Sequence, residues 1–280
     1  MPEGDTIFRT ARTLHRALAG QLVVRFESVL PALNRIDHDH PIAGRTVESV
    51  ASRGKHLLMT FSGDLTLHTH MRMNGSWHLY RPGERWQRPA RDMRLVVATA
   101  RSVAVGFNVP IAELLSARDL RRHTELSSLG PDLLAPSFSR DEAVARLRAH
   151  PRDAIGDLLL NQRVVAGIGN VLKSEILFAS GVNPFIAAGE LTGETLTRVI
   201  DVARDLLAAN VLDRSQTLSL AVGRRTTRSV NPDAKLWVYG RGGKPCRTCG
   251  APIHARRSGI DARLTYWCEI CQVAAGRPPA

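Results

Sequence analysis

LLLNQRVVAGIGNVLKSEILF, residues 158–178, decides how the chain is read. Apolar residues recur at helical spacing on both sides of a break that holds Gly167 and Gly169. The reading is two helices meeting across a glycine turn. Glycines there let backbone N–H groups face outward at the start of the second helix, and a helix N-terminus attracts anions. Asn170 stands where it can cap that helix or offer its amide to a phosphate, and Lys173 follows one turn later. The same spacing equally describes a tight helical corner whose glycines serve packing alone.

Helical patterns extend to both sides of this stretch. TGETLTRVIDVARDLLAANVL (192–212) reads as one long helix. PRDAIGDLLLNQ (151–162) reads as a helix with Pro151 in its first turn. SRDEAVARLRAH (139–150) opens on a Ser139 cap with Glu142 three residues on, the pattern of a capping box. IAELLSARDLRRH (111–123) reads as a further helix, and SSLGPDLLAP (127–136) is turn-rich and reads as a linker.

Nearer the start the period changes. Ile7, Ala11, Leu14 and Leu18 recur at steps of four, three and four, one face of a helix from about Asp5 to Ala19 that Gly20 ends. Seven strand-like runs follow: QLVVRFESV (21–29), TVESVAS (46–52), KHLLMTF (55–61), LTLHTHM (65–71), SWHLY (76–80), MRLVVAT (93–99) and SVAVGFN (102–108). Short strands at this spacing predict a β-sandwich. The fold class is therefore α+β: an N-terminal sandwich with a helix (1–117), a linker (118–136) and a helical domain (137–235). A small C-terminal module (236–272) and a disordered tail (273–280) complete it.

That module holds all four cysteines, Cys246, Cys249, Cys268 and Cys271, as two C-x2-C pairs eighteen residues apart. Each C-x2-C turn aims two thiolates at one tetrahedral metal, so the pattern predicts one structural Zn2+ with no open coordination position. Two disulfides or a redox pair are the other uses of such cysteines; a cytoplasmic setting disfavours the first. The second accounts for only one of the pairs. The formal net charge is +12, and residues 214–280 alone carry twelve Lys and Arg against three Asp and Glu. Such an excess attracts polyanions, nucleic acid before an anionic membrane surface. No run of eighteen apolar residues and no secretory leader is present, so a cytoplasmic chain is expected. The chain also begins MPEGDT: once Met1 is removed, Pro2 offers a secondary amine directly beside the Glu3 carboxylate.

Together these pieces resemble one family, the formamidopyrimidine-DNA glycosylases and endonucleases VIII. PEG (2–4) resembles its N-terminal Pro-Glu, and SRGKHLL (52–58) its β-hairpin lysine motif. Residues 158–178 resemble its helix–two-turn–helix, and residues 240–272 its zinc finger, in the family's order. PEG, RGKHLL and LGPDLL (129–134) look closest to the endonuclease VIII branch, and the PRRFG wedge of the purine-specific branch is missing from AVGFNVPIAELL (104–115).

The resemblance implies excision of oxidised pyrimidines and cleavage of abasic sites in damaged DNA, by a monomer associated with the bacterial nucleoid. It implies that Pro2 attacks C1′ and forms a Schiff base, followed by β,δ-elimination. Glu3 would be the general acid/base; on its residues alone it is equally an acid at a helix N-terminus. Lys55 would assist elimination, and Arg263 would be catalytic too, binding the phosphates flanking the lesion and assisting δ-elimination, while Asn170 and Lys173 would hold the backbone from the other side. The base must leave the stack. In HMRMNGSW (70–77), Arg72, Met73 and Asn74 would fill the space it vacates, with Met73 the apolar wedge or else a sandwich-core residue. The chain departs from the family pattern at Thr6, Arg72 and Ser128, where a glutamate, a glutamine and an arginine are usual. The competing readings are a damaged-DNA-binding paralogue without turnover, an oxidised-purine glycosylase of the same family, and a zinc-ribbon RNA-binding module.

Overall fold

The computed structural model describes residues 2–211, 224–227, 229, 231 and 233–273. It divides into two compact units, 1–128 and 129–280. The tail expected to be disordered lies outside the described residues from 274 on; Val273, counted with it, forms a β-bridge to Val182.

The first unit opens with helix α1 (Gly4–Leu18). The face read from the sequence is the face that packs: Ile7, Ala11, Leu14 and Leu18 are buried. Gly20 follows at φ 76° and hands the chain to the sheets, its N–H donating to Val47 O. Two antiparallel sheets follow. One has the order β1-β6-β7-β5, from Val23–Ser28, Met93–Thr99, Val103–Phe107 and Ser76–Tyr80. The other has the order β2-β3-β4-β8, from Val47–Arg53, His56–Phe61, Leu65–His70 and Ile111–Ser116. Val23, Trp77 and Leu95 from the first sheet share a core with Leu57, Phe61 and Leu67 from the second, the layered arrangement of a β-sandwich.

Sequence expectation and structure differ here in three places. IAELLSARDLRRH is not one helix. Its first half is strand β8, and only Ala117–Arg122 (α3) is helical, followed by Thr124–Ser127 (α4). Leu67↔Leu114 and His68↔Glu113 pairing with β4 overrides a local pattern that fits either period. The first unit therefore runs past residue 117, and Leu133, placed in the linker, is buried in the core of the second unit. Pro31–Asp39 forms a helix, α2, that no local signal announced, because only Leu33 of its nine residues is buried.

In the second unit, α8 (Gly193–Val211) packs on both α5 (Arg140–Arg148) and α7 (Asn170–Ala179) around a core that includes Leu147, Ile155, Leu172, Ile176 and Ile200. Ser139 Oγ caps α5 through the Glu142 N–H at 3.2 Å. The Glu142 carboxylate turns to Arg146 instead of closing a capping box. The helix expected over 151–162 shrinks to α6 (Ile155–Leu158), and Pro151 lies in a turn before it. Gln162 is the cause: its amide N donates to Leu160 O and Ile168 O, and its Oε1 accepts from the Gly167 N–H. Those bonds stabilise a compact turn where a helix would otherwise continue. Strands β9 (His254–Ser258) and β10 (Arg263–Trp267) form a hairpin.

Candidate active site and metal centre

Glu3 occupies the N-cap position of α1. Its carbonyl accepts from the Thr6 and Ile7 N–H groups, while its buried carboxylate makes no capping bond. Asp5 takes the local role, accepting from the Thr6 N–H at 2.8 Å. The placement of α1 then locates Pro2. Gly20 bonds Val47 at the start of β2, and the Val50 N–H donates to His15 Nδ1 at 3.1 Å. Helix and strand are thus antiparallel. From His15 back to Glu3 the helix spans about 18 Å, and from Val50 to the Gly54–Lys55 turn the strand spans about 17 Å. Pro2 and Glu3 therefore lie toward the β2–β3 turn that carries Lys55, made possible by Gly54 at φ 58°.

The next loop reaches the same end, because His56 pairs with His70 across β3 and β4. His70 is followed by Arg72 at φ 47°, exposed Met73 and Asn74, and then Gly75, where a Cβ would meet Met71 O at 2.6 Å. Met73 is 55% exposed, which removes the core reading of this residue. His70 is a residue the sequence reading passed over. Its Nδ1 accepts from the Arg72 N–H at 3.0 Å, which places its proton on Nε2. Burial, then the charges of Arg72 and Lys55, lower its pKa to about 4, so the ring is neutral at physiological pH. The period-2 run His68-Thr69-His70 was the available signal.

In the second unit α7 starts at Asn170, with Gly169 as its N-cap, and Gly167 sits at φ 104°. Asn170 does not cap the helix. Its Nδ2 donates to Leu264 O at 2.9 Å, and its Oδ1 is buried with no hydrogen-bond partner among the described residues. That bond sets the start of α7 beside Arg263, the first residue of β10, which is 39% exposed at the side chain and 3.4 Å from Asp261. Lys173 departs from expectation. It is fully buried, its Nζ donating to Thr265 Oγ1 at 2.6 Å, because its face of α7 packs on the hairpin. Its ammonium ties helix to hairpin and is withdrawn from solvent.

Glu175, also unforeseen, is buried. Its two oxygens accept from the Trp237, Val238 and Tyr239 N–H groups at 2.8–2.9 Å and from the Thr226 hydroxyl. It anchors the chain entering the cysteine module. There the four sulfurs lie within 4.8 Å of one another, with Cys246–Cys271 at 3.8 Å and Cys249–Cys268 at 3.5 Å. Four thiolates about 2.3 Å from a tetrahedral ion sit about 3.8 Å apart, so the set fits one soft divalent metal.

Comparison with known proteins places this architecture. Residues 1–125 match the N-terminal domain of formamidopyrimidine-DNA glycosylase, and residues 129–221 match its H2TH domain. The fold is that of the Lactococcus lactis Fpg solved with abasic-site DNA, at TM-score 0.80 and 22% identity over 97% of this chain and all of that one. A probable endonuclease 8 2 of Streptomyces coelicolor is 42% identical, covering all of this chain and 96% of its own length. The DNA-(apurinic or apyrimidinic site) lyase Nei2 of Mycolicibacterium smegmatis is 38% identical over 98% of this chain and 100% of its own. The two sheets, the helical unit and the four-cysteine hairpin are those of a base-excision DNA-repair enzyme. The chain belongs to the formamidopyrimidine-DNA glycosylase and endonuclease VIII family, in its endonuclease VIII-like branch. No described helix is long and apolar enough to cross a membrane.

Proposed function

We propose that the protein is a bifunctional DNA glycosylase and abasic-site lyase, acting on oxidised pyrimidines through the Pro2 amine. One observation carries the reading: Pro2, buried Glu3, Lys55 and the exposed Arg72–Asn74 loop gather at one end of the first unit. The pyrimidine preference is supported by relatives named endonuclease 8.

After loss of Met1, the Pro2 lone pair attacks C1′ and the glycosidic electron pair leaves with the base. Glu3 supplies and removes the protons this requires. The C1′–O4′ bond then breaks, O4′ taking a proton from Glu3, and the iminium so formed acidifies C2′–H; loss of that proton expels the 3′ phosphate, and a second elimination expels the 5′ phosphate. Lys55 and the Nε2–H of His70 face the backbone from the first unit. On the second unit, Arg263 offers a guanidinium suited to phosphate. Borohydride trapping of the wild-type protein on an abasic-site duplex tests the scheme; absence of a covalent complex overturns it.

Cys246, Cys249, Cys268 and Cys271 would hold one zinc ion, whose role is to fold the hairpin that carries Arg263. Chelation or Cys268→Ser is expected to lower DNA affinity and melt the module early, as read by metal analysis and calorimetry. Active protein free of zinc would refute this.

Two exposed residues separate backbone binding from lesion recognition. Arg263→Ala is expected to weaken damaged and undamaged duplex alike and to lower the slope of log K against log salt by about 1. Met73→Ala is expected to leave the melting temperature and that slope unchanged while weakening lesion binding and excision, because a wedge acts only on the opened duplex. Unchanged lesion preference would move the wedge to Arg72 or Asn74.

A further inference from the structure

The face of the second sheet turned away from the sandwich core carries a histidine cluster, with His56 and His68 buried. Of the chain's ten histidines, His56, His68 and His70 stand on β3 and β4, and His123 reaches the same place from the start of α4. The rings contact one another: His56–His68 at 5.1 Å, His56–His70 at 4.8 Å and His68–His123 at 5.0 Å between centroids. Three of the groups converge on one point. His68 Nδ1 and His123 Nε2 each lie 2.9 Å from the same oxygen of Glu113, the cross-strand partner of His68.

We propose that His68, Glu113 and His123 form a binding site for a divalent transition-metal ion of the zinc class, separate from the four-cysteine centre. Two imidazole nitrogens and a carboxylate oxygen, all within 4.8 Å of one another, are the donor set of a three-ligand zinc site. The His68 side chain is fully buried and that of His123 is 14% exposed, while the Glu113 side chain is 45% exposed. The fourth coordination position therefore opens on the Glu113 side, toward solvent. His56 supplies the outer support that metal-bound histidines use, its Nδ1 lying 2.9 Å from His68 Nε2.

The proton count is closed. In the metal-free arrangement both rings donate to Glu113, and His123 Nδ1 accepts from the Leu126 N–H at 3.4 Å. Binding places the metal on the lone pairs of His68 Nδ1 and His123 Nε2. The ring protons move to His68 Nε2, which donates to His56 Nδ1, and to His123 Nδ1, which gives up the long Leu126 contact. Before binding, His56 donates from Nδ1 to His68 Nε2; as that bond reverses, the His56 proton passes to its own Nε2, so every imidazole stays neutral. The ion would tie β4, β8 and the start of α4 together.

Equilibrium dialysis of the full-length protein against zinc, followed by metal analysis, decides the matter. The expected result is two zinc ions per wild-type chain and one in His123→Ala and in Glu113→Gln. Cobalt substitution should show thiolate charge-transfer bands of equal intensity in all three proteins. Zinc added beyond one equivalent should raise the melting temperature of the wild type and leave that of Glu113→Gln unchanged. One ion per wild-type chain, or two in the variants, overturns the proposal. Should His123→Ala fail to fold, Glu113→Gln, equal in size, decides it alone.

Discussion

Protein carrying even one residue ahead of Pro2 is expected to lose borohydride trapping on abasic-site DNA completely. Acylation turns the Pro2 nitrogen into an amide, whose lone pair is delocalised into the carbonyl and cannot attack C1′. The loss should be confined to chemistry. Pro2 precedes the first helical residue, Gly4, and the helix is held by His15, Gly20 and its buried face, so melting temperature and affinity for the abasic duplex should change little. Pro2→Gly should keep part of the activity, because a primary amine also forms an imine. The measurement is the fraction of labelled duplex retained with protein on a denaturing gel. Retention by the extended protein at the wild-type level would remove Pro2 from the mechanism.

The second large effect is expected at Glu175, far in sequence from the cysteines it serves. Glu175→Ala strips the acceptors from three backbone N–H groups, those of Trp237, Val238 and Tyr239, and from the Thr226 hydroxyl. Buried donors left without partners cost about 1–3 kcal/mol each, and a cavity adds to that. A loss of about 3–5 kcal/mol is expected, seen in calorimetry as an early transition of the second unit. DNA affinity should fall with it, since Arg263 is mounted on the hairpin that this carboxylate anchors. Glu175→Gln keeps the size but turns an NH2 toward N–H donors, and should recover only part of the stability. A melting temperature within a degree of wild type for Glu175→Ala would show that the three amides find other acceptors.

Much of the fold was legible because its signals are local. The face of α1 recurs within fifteen residues, and the two C-x2-C turns carry their own metal geometry. What was missed depends on partners distant in sequence. β8 is a strand because β4 lies beside it, and its own apolar pattern does not separate strand from helix. Lys173 was expected at the surface because helical spacing says which residues share a face, and nothing in it says that this face meets Thr265, ninety-two positions away. Glu175 and His70 look like ordinary charged or polar positions until the backbone amides and the Lys55 turn are set around them. Met73 was ambiguous for the opposite reason: an apolar residue in a short loop reads the same whether buried or displayed, and only its exposure separates the two.

The antiparallel match between α1 and β2 makes the helix a ruler. One mark is the His15–Val50 bond; the other is Glu3. A residue inserted between them would advance Glu3 by about 1.5 Å and swing it about 100° around the helix axis. A buried carboxylate cannot follow such a turn without leaving its pocket, so the number of residues separating positions 3 and 15 is fixed by geometry whatever their identity. Among relatives, the stretch from Glu3 to His15 should therefore keep its count of residues.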